Sequence, residues 1–372
     1  MSLSLSHHDA AVLASRGGPF EVQRLPTPEP GDDELLIEVK AFSVAPLELL
    51  QRDYGFPNVA QYPAVIGSDI AGLVNKIGSA VPKDIFKPGM RVAALTATFI
   101  YQGEITHGGF QAYVRIPWQN AVLLPETLSS PGACILPLAV VTAWCGWISV
   151  GIPADSSHKA DSNSGVVVWG AASSVGTAAL QIAKLMGYRV YAIASKKNHE
   201  YIKGLGATQV FDYGKSDVVS EVVQCAEKDG VIIAAGLQAA GYDVKPLSNI
   251  LRQCKNFNSR TDISPMIASA PGLIDPKEEF DMSHLLDGTL QMVPEIEIDG
   301  IKSKFVVIPQ DSQERRDRLH FVLFTWLHEM LMKGEYVSSP AVKVVGKGFE
   351  AANEALDLYK KGLSATKLVV EV

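Results

Sequence analysis

The sequence predicts an α/β protein in which a β-barrel-like domain precedes a doubly wound parallel sheet. Short apolar segments separated by glycine and proline turns fill the first 130 residues, which is typical of a small barrel. Further along, apolar β-branched runs alternate with segments of helical periodicity, which is typical of a parallel sheet. A length of 372 residues is consistent with two domains.

The individual elements follow from the same patterns. Barrel strands are predicted at 35–41, 71–78, 87–95 and 110–116. From Pro131 to Trp147 the pattern becomes helical, and a polar, serine-rich loop follows over 152–164. After the central segment we expect a parallel strand at 230–235, a helix at 315–333, and a strand, a helix and a strand at 342–345, 349–361 and 367–372.

The central segment 165–194 predicts a strand, a tight turn, a helix and a second strand. Val166 to Val168 are β-branched, as a strand buried on both faces requires, and Gly170 and Gly176 bracket the turn. The helix over 177–186 ends before Gly187. A pyrophosphate at such a turn would meet free backbone N–H groups and the positive end of the helix dipole. The alternative is an ordinary βα turn without a ligand.

The end of the second strand indicates which dinucleotide would bind. An Asp or Glu at that place would bond the free 2′-hydroxyl of NAD, whereas this chain has Ser195, Lys196 and Lys197. Cationic donors there suit a 2′-phosphate, so the sequence predicts NADPH as the cofactor. The alternative is that both lysines are solvated surface residues.

Composition excludes several classes of protein. Hydrophobic residues make up 47% and charged residues 20%, which permits a sizeable core, and the net charge of −7 argues against nucleic acid as a partner. No run of 18 apolar residues and no signal peptide is recognisable, so we expect no membrane span and a cytoplasmic protein. His7 and His8 are expected in a disordered terminus. None of the four cysteines forms a C-x-x-C pair, so no structural zinc site is predicted.

The order of motifs along the chain resembles the medium-chain dehydrogenase/reductase superfamily over nearly its whole length. The motifs that carry the resemblance lie at 28–39, 62–72, 86–92, 108–113, 170–176, 204–213 and 362–370. The nearest branch resembles the zinc-independent fungal reductases, which include trans-acting enoyl reductases of polyketide pathways and proteins labelled "zinc-binding oxidoreductase"; quinone reductases are more distant. This implies a discontinuous GroES-like domain over 1–129 and 310–372, a Rossmann domain over 130–309, and a substrate cleft between them.

The resemblance also implies chemistry without zinc. Zinc members have an early cysteine and a Gly-His-Glu motif, but this chain reads Phe42-Ser-Val-Ala-Pro-Leu-Glu48 and Gly67-Ser-Asp69 at those places. Without a Lewis acid, alcohol dehydrogenation loses its main catalytic device. Hydride addition to an activated C=C remains, because the substrate's own carbonyl withdraws electrons and the enzyme mainly positions the reactants.

Cofactor contacts are carried over from the family residue by residue. The pyrophosphate contacts fall on Ala172, Ser173, Ser174, Val175 and Gly176, and the 2′-phosphate contacts fall on Ser195, Lys196, Lys197 and Asn198, with Tyr213 beside them. The nicotinamide side corresponds to Pro46 and Leu47, the cofactor–substrate border to Thr142, and a late turn to Ser364 and Ala365. Two alternatives stay open: Thr142 as an ordinary helix threonine and Tyr213 as a residue that packs on the sheet.

No catalytic acid is identified from the sequence. Tyr54, Tyr101 and His107 are candidates only because they can donate protons and are expected in loops of the first domain. In relatives the final proton can come from water. His320 and His328, eight residues apart on the predicted helix, lack a ligand pattern for a metal.

Residues 256–307 depart from the family pattern. The usual glycine-rich turn is missing there, and the alternation in Glu295 to Lys302 predicts an extra hairpin. This region would shape the substrate pocket or a subunit contact, so both a monomer and a homodimer stay possible.

The combined expectation is an NADPH-dependent, zinc-free reductase of an enoyl thioester or another α,β-unsaturated carbonyl in fungal secondary metabolism. The substrate would be a small molecule or a carrier-bound intermediate, with a polyketide synthase as a possible partner. One alternative is quinone reduction. Another is a family member that binds the cofactor without redox turnover, as a scaffold or in a non-redox cyclisation, which Ala45 (relatives usually have Asn) and region 256–307 keep open.

Overall fold

The computed structural model describes residues 6–57, 59–98, 100–257, 264–274 and 292–372. The chain divides into two compact units, one of Met1–Leu138 with Gln310–Val372 and the other of Ala139–Pro309. The predicted limits of the folding domains, 1–129 with 310–372 and 130–309, stay predictions, because compactness alone does not define a folding domain.

The described residues form eighteen strands. In chain order they are β1 (His7–Leu13), β2 (Phe20–Pro26), β3 (Glu34–Val44), β4 (Asp69–Ile77), β5 (Arg91–Leu95), β6 (Tyr113–Pro117), β7 (Ala121–Leu123), β8 (Ser164–Trp169), β9 (Arg189–Ala194), β10 (Gln209–Asp212), β11 (Ile232–Gln238), β12 (Met266–Ser269), β13 (Leu273–Ile274), β14 (Met292–Val293), β15 (Glu295–Ile298), β16 (Ile301–Phe305), β17 (Ala341–Lys347) and β18 (Thr366–Glu371).

Helices are present in both units of the described chain. In chain order they are α1 (Pro46–Tyr54), α2 (Ser130–Ala133), α3 (Pro137–Ser149), α4 (Ser174–Leu185), α5 (His199–Gly204), α6 (Val218–Lys228), α7 (Lys245–Phe257), α8 (Ser312–Leu319), a π-helix (His320–Leu327), α9 (His328–Met332) and α10 (Ala351–Lys360). The helix predicted over 315–333 is therefore present, but a π-helical stretch, which the sequence pattern did not indicate, lies in its middle.

The first unit is built on a sheet with the strand order β17-β18-β3-β4-β5-β7, in which β6 also pairs with β3. The pairs are antiparallel except for β17 with β18. An aromatic cluster fills its core: the ring centroids of Phe42 and Phe110 lie 4.4 Å apart, and Phe20 meets Phe110 edge to face at 5.7 Å. Buried apolar side chains of β1, β3, β4, β5, β6 and β18 surround this cluster.

The second unit is a doubly wound sheet with the strand order β10-β9-β8-β11-β12-β16-β15. All pairs are parallel except β15 with β16. From β10 to β16 this is the 3-2-1-4-5-6 order of dinucleotide-binding folds, with one antiparallel edge strand added. The predicted fold class is confirmed, and the hairpin predicted from the alternation at 295–302 is formed by β15 and β16.

One sequence expectation about the N-terminus is wrong. His7 and His8 lie in β1, which pairs with β2 along its whole length. His8 is only 5% exposed, and its ring nitrogens face Gln111 Oε1 at 2.9 Å and Thr27 Oγ1 at 3.2 Å. Long-range partners that are invisible in a local pattern therefore hold this segment.

Ser130–Ser149, which includes α2 and α3, is long and apolar enough to cross a membrane. However, 72% of its most apolar window is buried inside the protein, as in a core helix. Within region 256–307, the stretches 258–263 and 275–291 lie outside the described residues, so the departures from the family pattern predicted there are not described.

Candidate cofactor-binding and active site

The turn after β8 has the backbone geometry of a phosphate cradle. Gly170 adopts a φ of 74°, a left-handed conformation that favours glycine. A Cβ on Gly176 would lie 2.3 Å from the carbonyl oxygen of Gly170, so no other residue fits there. Ser173 caps α4: its Oγ accepts a hydrogen bond from Gly176 N at 3.1 Å and donates one to Gly170 O at 2.8 Å.

This turn fits a pyrophosphate. The amides of Ser174 and Val175 lie in the first turn of α4, too early to have acceptors within the helix. Ala172, Ser173, Ser174 and Val175 are all half-buried. The helix dipole and the free amides together favour an anion at this position.

The parallel register brings the other predicted cofactor contacts to the same edge of the sheet. Trp169 at the end of β8 pairs with Ile193, and Ala194 at the end of β9 pairs with Asp212 at the end of β10. The segments that follow these three strands therefore lie side by side. They contain the turn at 170–176, the stretch Ser195–Asn198 and Tyr213.

The end of β9 is cationic and carries no acidic residue. Lys196 and Lys197 are exposed, and neither has an ion-pair partner within the described part of the chain. They lie in a 3₁₀ turn in which Asn198 Nδ2 donates to Ser195 Oγ at 3.0 Å, which fixes the loop. Tyr213, just beyond β10, is 53% exposed, so it packs only partly on the sheet.

The neighbouring end of β11 supports the cradle, and sequence reasoning missed it. Ala239 N donates to Trp169 O at 2.8 Å, and a Cβ on Gly170 would lie 2.8 Å from the Cβ of Ala240. Gln238 is fully buried there, and its Oε1 has no hydrogen-bond partner among the described residues. The sequence does contain a signal for this support: Gln238 is a polar residue at the end of an otherwise apolar strand, and a buried polar side chain needs a partner.

In the first unit, a buried carboxylate connects the two segments where zinc members have their metal ligands. Pro46 and Leu47 begin α1, preceded by Ala45. Glu48 Oε2 accepts from Ala45 N at 2.8 Å and its Oε1 accepts from Ser68 N at 2.9 Å. Among the residues that the structure describes, no three His, Cys, Asp or Glu side chains are grouped to hold a metal ion.

The three candidate proton donors have different environments. Tyr54 is the last residue of α1 and half-buried, so the expectation that it lies in a loop is wrong. His107 does lie in a loop, but it is buried, with Nε2 3.1 Å from Glu34 Oε1 and Nδ1 against Glu104. Tyr101 stacks on the His107 ring with centroids 3.7 Å apart and is 41% exposed. Of the three, Tyr101 is therefore the most accessible.

The Glu34 carboxylate is the charged group that fixes the His107 ring in place. Burial opposes ionisation of Glu34, but hydrogen bonds from His107, Gly31 N and Arg115 outweigh it and lower the pKa of Glu34 to about 2. Arg115 Nε lies 2.6 Å from Glu34 Oε2. Burial raises the pKa of Tyr101, and nearby Glu34 adds to this, so the phenol keeps its proton at neutral pH. His107 thus belongs to a buried hydrogen-bond network around the Glu34 carboxylate.

The remaining predicted site residues lie on two further elements. Thr142 is half-buried on α3. Ala365 has a φ of 49° in the turn before β18, and Ser364 O accepts from Thr366 Oγ1 at 3.0 Å. The left-handed residue makes this turn a tight one.

Comparison with known proteins agrees with this architecture. The model of the alcohol dehydrogenase GroES-like domain matches residues 31–126, and that of the zinc-binding dehydrogenase family matches residues 174–253. The chain is 37% identical over 363 residues to trans-enoyl reductase tndF of Aspergillus flavipes, with 98% of each chain covered.

The chain belongs to the medium-chain dehydrogenase/reductase superfamily. It is also 45% identical over 281 residues to trans-enoyl reductase tazE of Aspergillus terreus, covering 75% of this chain and 91% of that one. Among solved structures, an NAD-dependent alcohol dehydrogenase is 26% identical with a TM-score of 0.70, over 98% of this chain and 99% of the other. The resemblance read from the sequence is confirmed, and this superfamily uses a nicotinamide cofactor.

Proposed function

We propose that this protein is an NADPH-dependent, zinc-free enoyl reductase of fungal secondary metabolism. The observation that carries the cofactor half is the end of β9, where two exposed lysines follow Ser195 and no acidic residue is present. The reaction half is supported by two relatives named trans-enoyl reductase, one of which matches 98% of this chain. The proposed reaction is reduction of an activated C=C.

The cofactor would be held along one edge of the second unit's sheet. The amides of the turn at 170–176 would bind the pyrophosphate. Lys196 and Lys197 would pair with the 2′-phosphate, with Ser195, Asn198 and Tyr213 beside them, and each charged hydrogen bond would contribute about 1.5–3 kcal/mol. Pro46, Leu47, Thr142, Ser364 and Ala365 are proposed to line the nicotinamide half.

Bound NADPH would supply the hydride, and the chain's own residues would orient the nicotinamide and the substrate relative to each other. Ser68 stands where zinc members have a histidine, and it brings neither a thiolate nor an imidazole. We infer that the thioester or ketone carbonyl of the substrate activates its own C=C, so that orientation accounts for most of the rate enhancement. The final proton would come from water or from Tyr101, whose phenol is protonated and partly exposed.

The proposed substrate is a small-molecule or carrier-bound enoyl thioester, presented by a polyketide synthase. A net charge of −7 disfavours nucleic acid as a partner. We propose a cytoplasmic protein without a membrane span, since the apolar stretch Ser130–Ser149 is mostly buried. A monomer and a homodimer are both compatible with this function.

One assay tests the reaction. NADPH consumption is followed with enoyl thioesters, enones and quinones, and the product of each active substrate is identified by mass spectrometry. The proposal predicts a saturated thioester and a kcat/KM at least tenfold higher for the best enoyl thioester than for any quinone. Faster reduction of quinones would replace the proposal with the quinone-reductase alternative. Tight NADPH binding without any turnover would favour the non-redox alternative.

A further inference from the structure

Asp69 is a buried carboxylate that joins parts of the first unit distant in sequence. It begins β4, and its side chain is 2% exposed. Its Oδ1 accepts a hydrogen bond from Leu138 N at 2.7 Å, and its Oδ2 accepts one from Ser43 Oγ at 3.3 Å. Lys367 Nζ of β18, also buried, lies 4.0 Å from Oδ2. Both carboxylate oxygens are therefore occupied.

The bond to Leu138 caps a helix from a distance. Leu138 is the second residue of α3, so its N–H has no acceptor within the helix, and the first residue, Pro137, has no N–H at all. A carboxylate at a helix N-terminus is favoured by the helix dipole. Asp69 supplies it across 69 positions of sequence. The start of α3 is thus fixed to β4.

The capped helix also carries Thr142. Thr142 lies four residues after Leu138, one turn further along the same helix face. A contact that fixes the orientation of the first turn of α3 therefore also fixes the position of Thr142.

The buried pair of Asp69 and Lys367 is a weak source of stability, so its hydrogen bond to α3 is the more informative contact. Burial raises the pKa of Asp69 to about 7 even though Lys367 and the Leu138 N–H act in the opposite direction, and nearby Glu48 raises it further. A buried ion pair is often no more stabilising than an apolar pair of the same shape. An apolar pair could not, however, accept the hydrogen bond from Leu138.

We propose that Asp69 is a positioning residue of the reductase, which acts by holding the first turn of α3 and thereby Thr142. The inference rests on the proposed function, in which Thr142 borders cofactor and substrate. The proposed role depends on the oxygen of Asp69 that accepts the hydrogen bond from Leu138 N, and not on the negative charge of Asp69.

Two matched double variants of the full chain separate the effect of this acceptor oxygen from the effect of the charge. Asp69→Asn with Lys367→Met removes both charges and keeps an acceptor for Leu138 N. Asp69→Leu with Lys367→Met has nearly the same shape and lacks the acceptor. We measure kcat and KM for NADPH and for an enoyl thioester, hydrogen exchange over 137–145, and the thermal unfolding midpoint of each variant.

The Asn variant is expected to keep at least a third of the wild-type kcat. The Leu variant is expected to lose at least tenfold in kcat, with KM for NADPH within threefold of wild type and faster exchange at the start of α3. Equal kcat in two variants that are both folded would overturn the inference. If the Leu variant does not fold, a kcat of the Asn variant below a tenth of wild type would overturn it instead.

A failure of the proposed function can be distinguished from a failure of the inference about Asp69. A wild-type protein that reduces no enoyl thioester would contradict the proposed function whatever the variants do. The exchange rates of the two variants over 137–145 would still decide whether the Asp69 acceptor holds the helix, since equal rates would overturn the anchoring itself.

Discussion

The two chemically informative regions of this protein differ in charge, exposure and origin. The proposed cofactor edge of the second unit is partly buried and carries two exposed lysines, and it is built from contiguous segments, chiefly 170–176 and 195–198. The carboxylate centre of the first unit, formed by Glu48, Asp69 and Lys367, is buried, and its members come from opposite ends of the chain. The first region is suited to binding a ligand, and the second is suited to holding the backbone.

This difference separates the expected effects of substitution. Changes to the exposed side chains of the proposed cofactor edge, Lys196 and Lys197, should alter ligand affinity with little effect on folding, because these side chains have few partners. Changes at buried carboxylates should alter stability or the positions of backbone elements.

Gly176→Ala should abolish most NADPH binding. The added Cβ would lie 2.3 Å from the Gly170 carbonyl oxygen and 2.8 Å from Ala171 Cα, so the cradle must open. We expect at least a 100-fold increase in Kd, measured by titration calorimetry. Gly204→Ala is the matched control, since its Cβ meets no atom within 4 Å and helix propensity favours alanine. Unchanged affinity in Gly176→Ala would contradict the cradle.

Acid should destabilise the wild-type protein partly through Glu34. Its pKa is lowered from 4.5 to about 2, so the stabilisation is complete above pH 4.5 and is lost as the pH falls toward 2. A shift of this size corresponds to about 3 kcal/mol. Urea unfolding at pH 5 and at lower pH should show a smaller loss in Glu34→Gln than in wild type. Parallel pH curves for the two proteins would count against the hydrogen-bond network around the Glu34 carboxylate.

Removing the two lysines should weaken NADPH selectively. Lys196→Ala with Lys197→Ala should raise the Kd for NADPH about 10- to 100-fold and leave the Kd for NADH within threefold, because only NADPH carries the 2′-phosphate. Lys228→Ala is the control, since that exposed lysine ends α6 at the opposite edge of the sheet. An equal loss for both cofactors would mean that the lysines do not read the 2′-phosphate.

Tyr213→Ser should have the smallest effect. The side chain is 53% exposed, so we expect the free energy of unfolding to change by less than about 1 kcal/mol and the Kd for NADPH to rise less than fivefold. Chemical denaturation and calorimetry measure the two quantities. A larger loss of stability without a change in affinity would support the alternative that Tyr213 packs on the sheet.

The contrast between contiguous segments in the second unit and distant partners in the first unit explains which features the sequence could predict. The strand, turn and helix of the cradle follow from periodicity and two glycines within a dozen residues, and the lysines after β9 are visible in the local sequence, where they predict a 2′-phosphate site. The hydrogen bond between Asp69 and Leu138, the ordering of His8 by Gln111 and the burial of His107 between Glu34 and Glu104 depend on partners that only the tertiary fold brings together. The π-helix at His320–Leu327 has no signature in apolar periodicity.

The central claim is that the cationic end of β9 selects NADPH for reduction of a C=C bond. The direct test compares kcat/KM for NADPH and NADH with one enoyl thioester, with the saturated product verified by mass spectrometry. We expect at least a tenfold preference of the wild-type protein for NADPH, and this preference should fall to less than threefold when both Lys196 and Lys197 are replaced by alanine. Equal use of the two cofactors by the wild-type protein would contradict it.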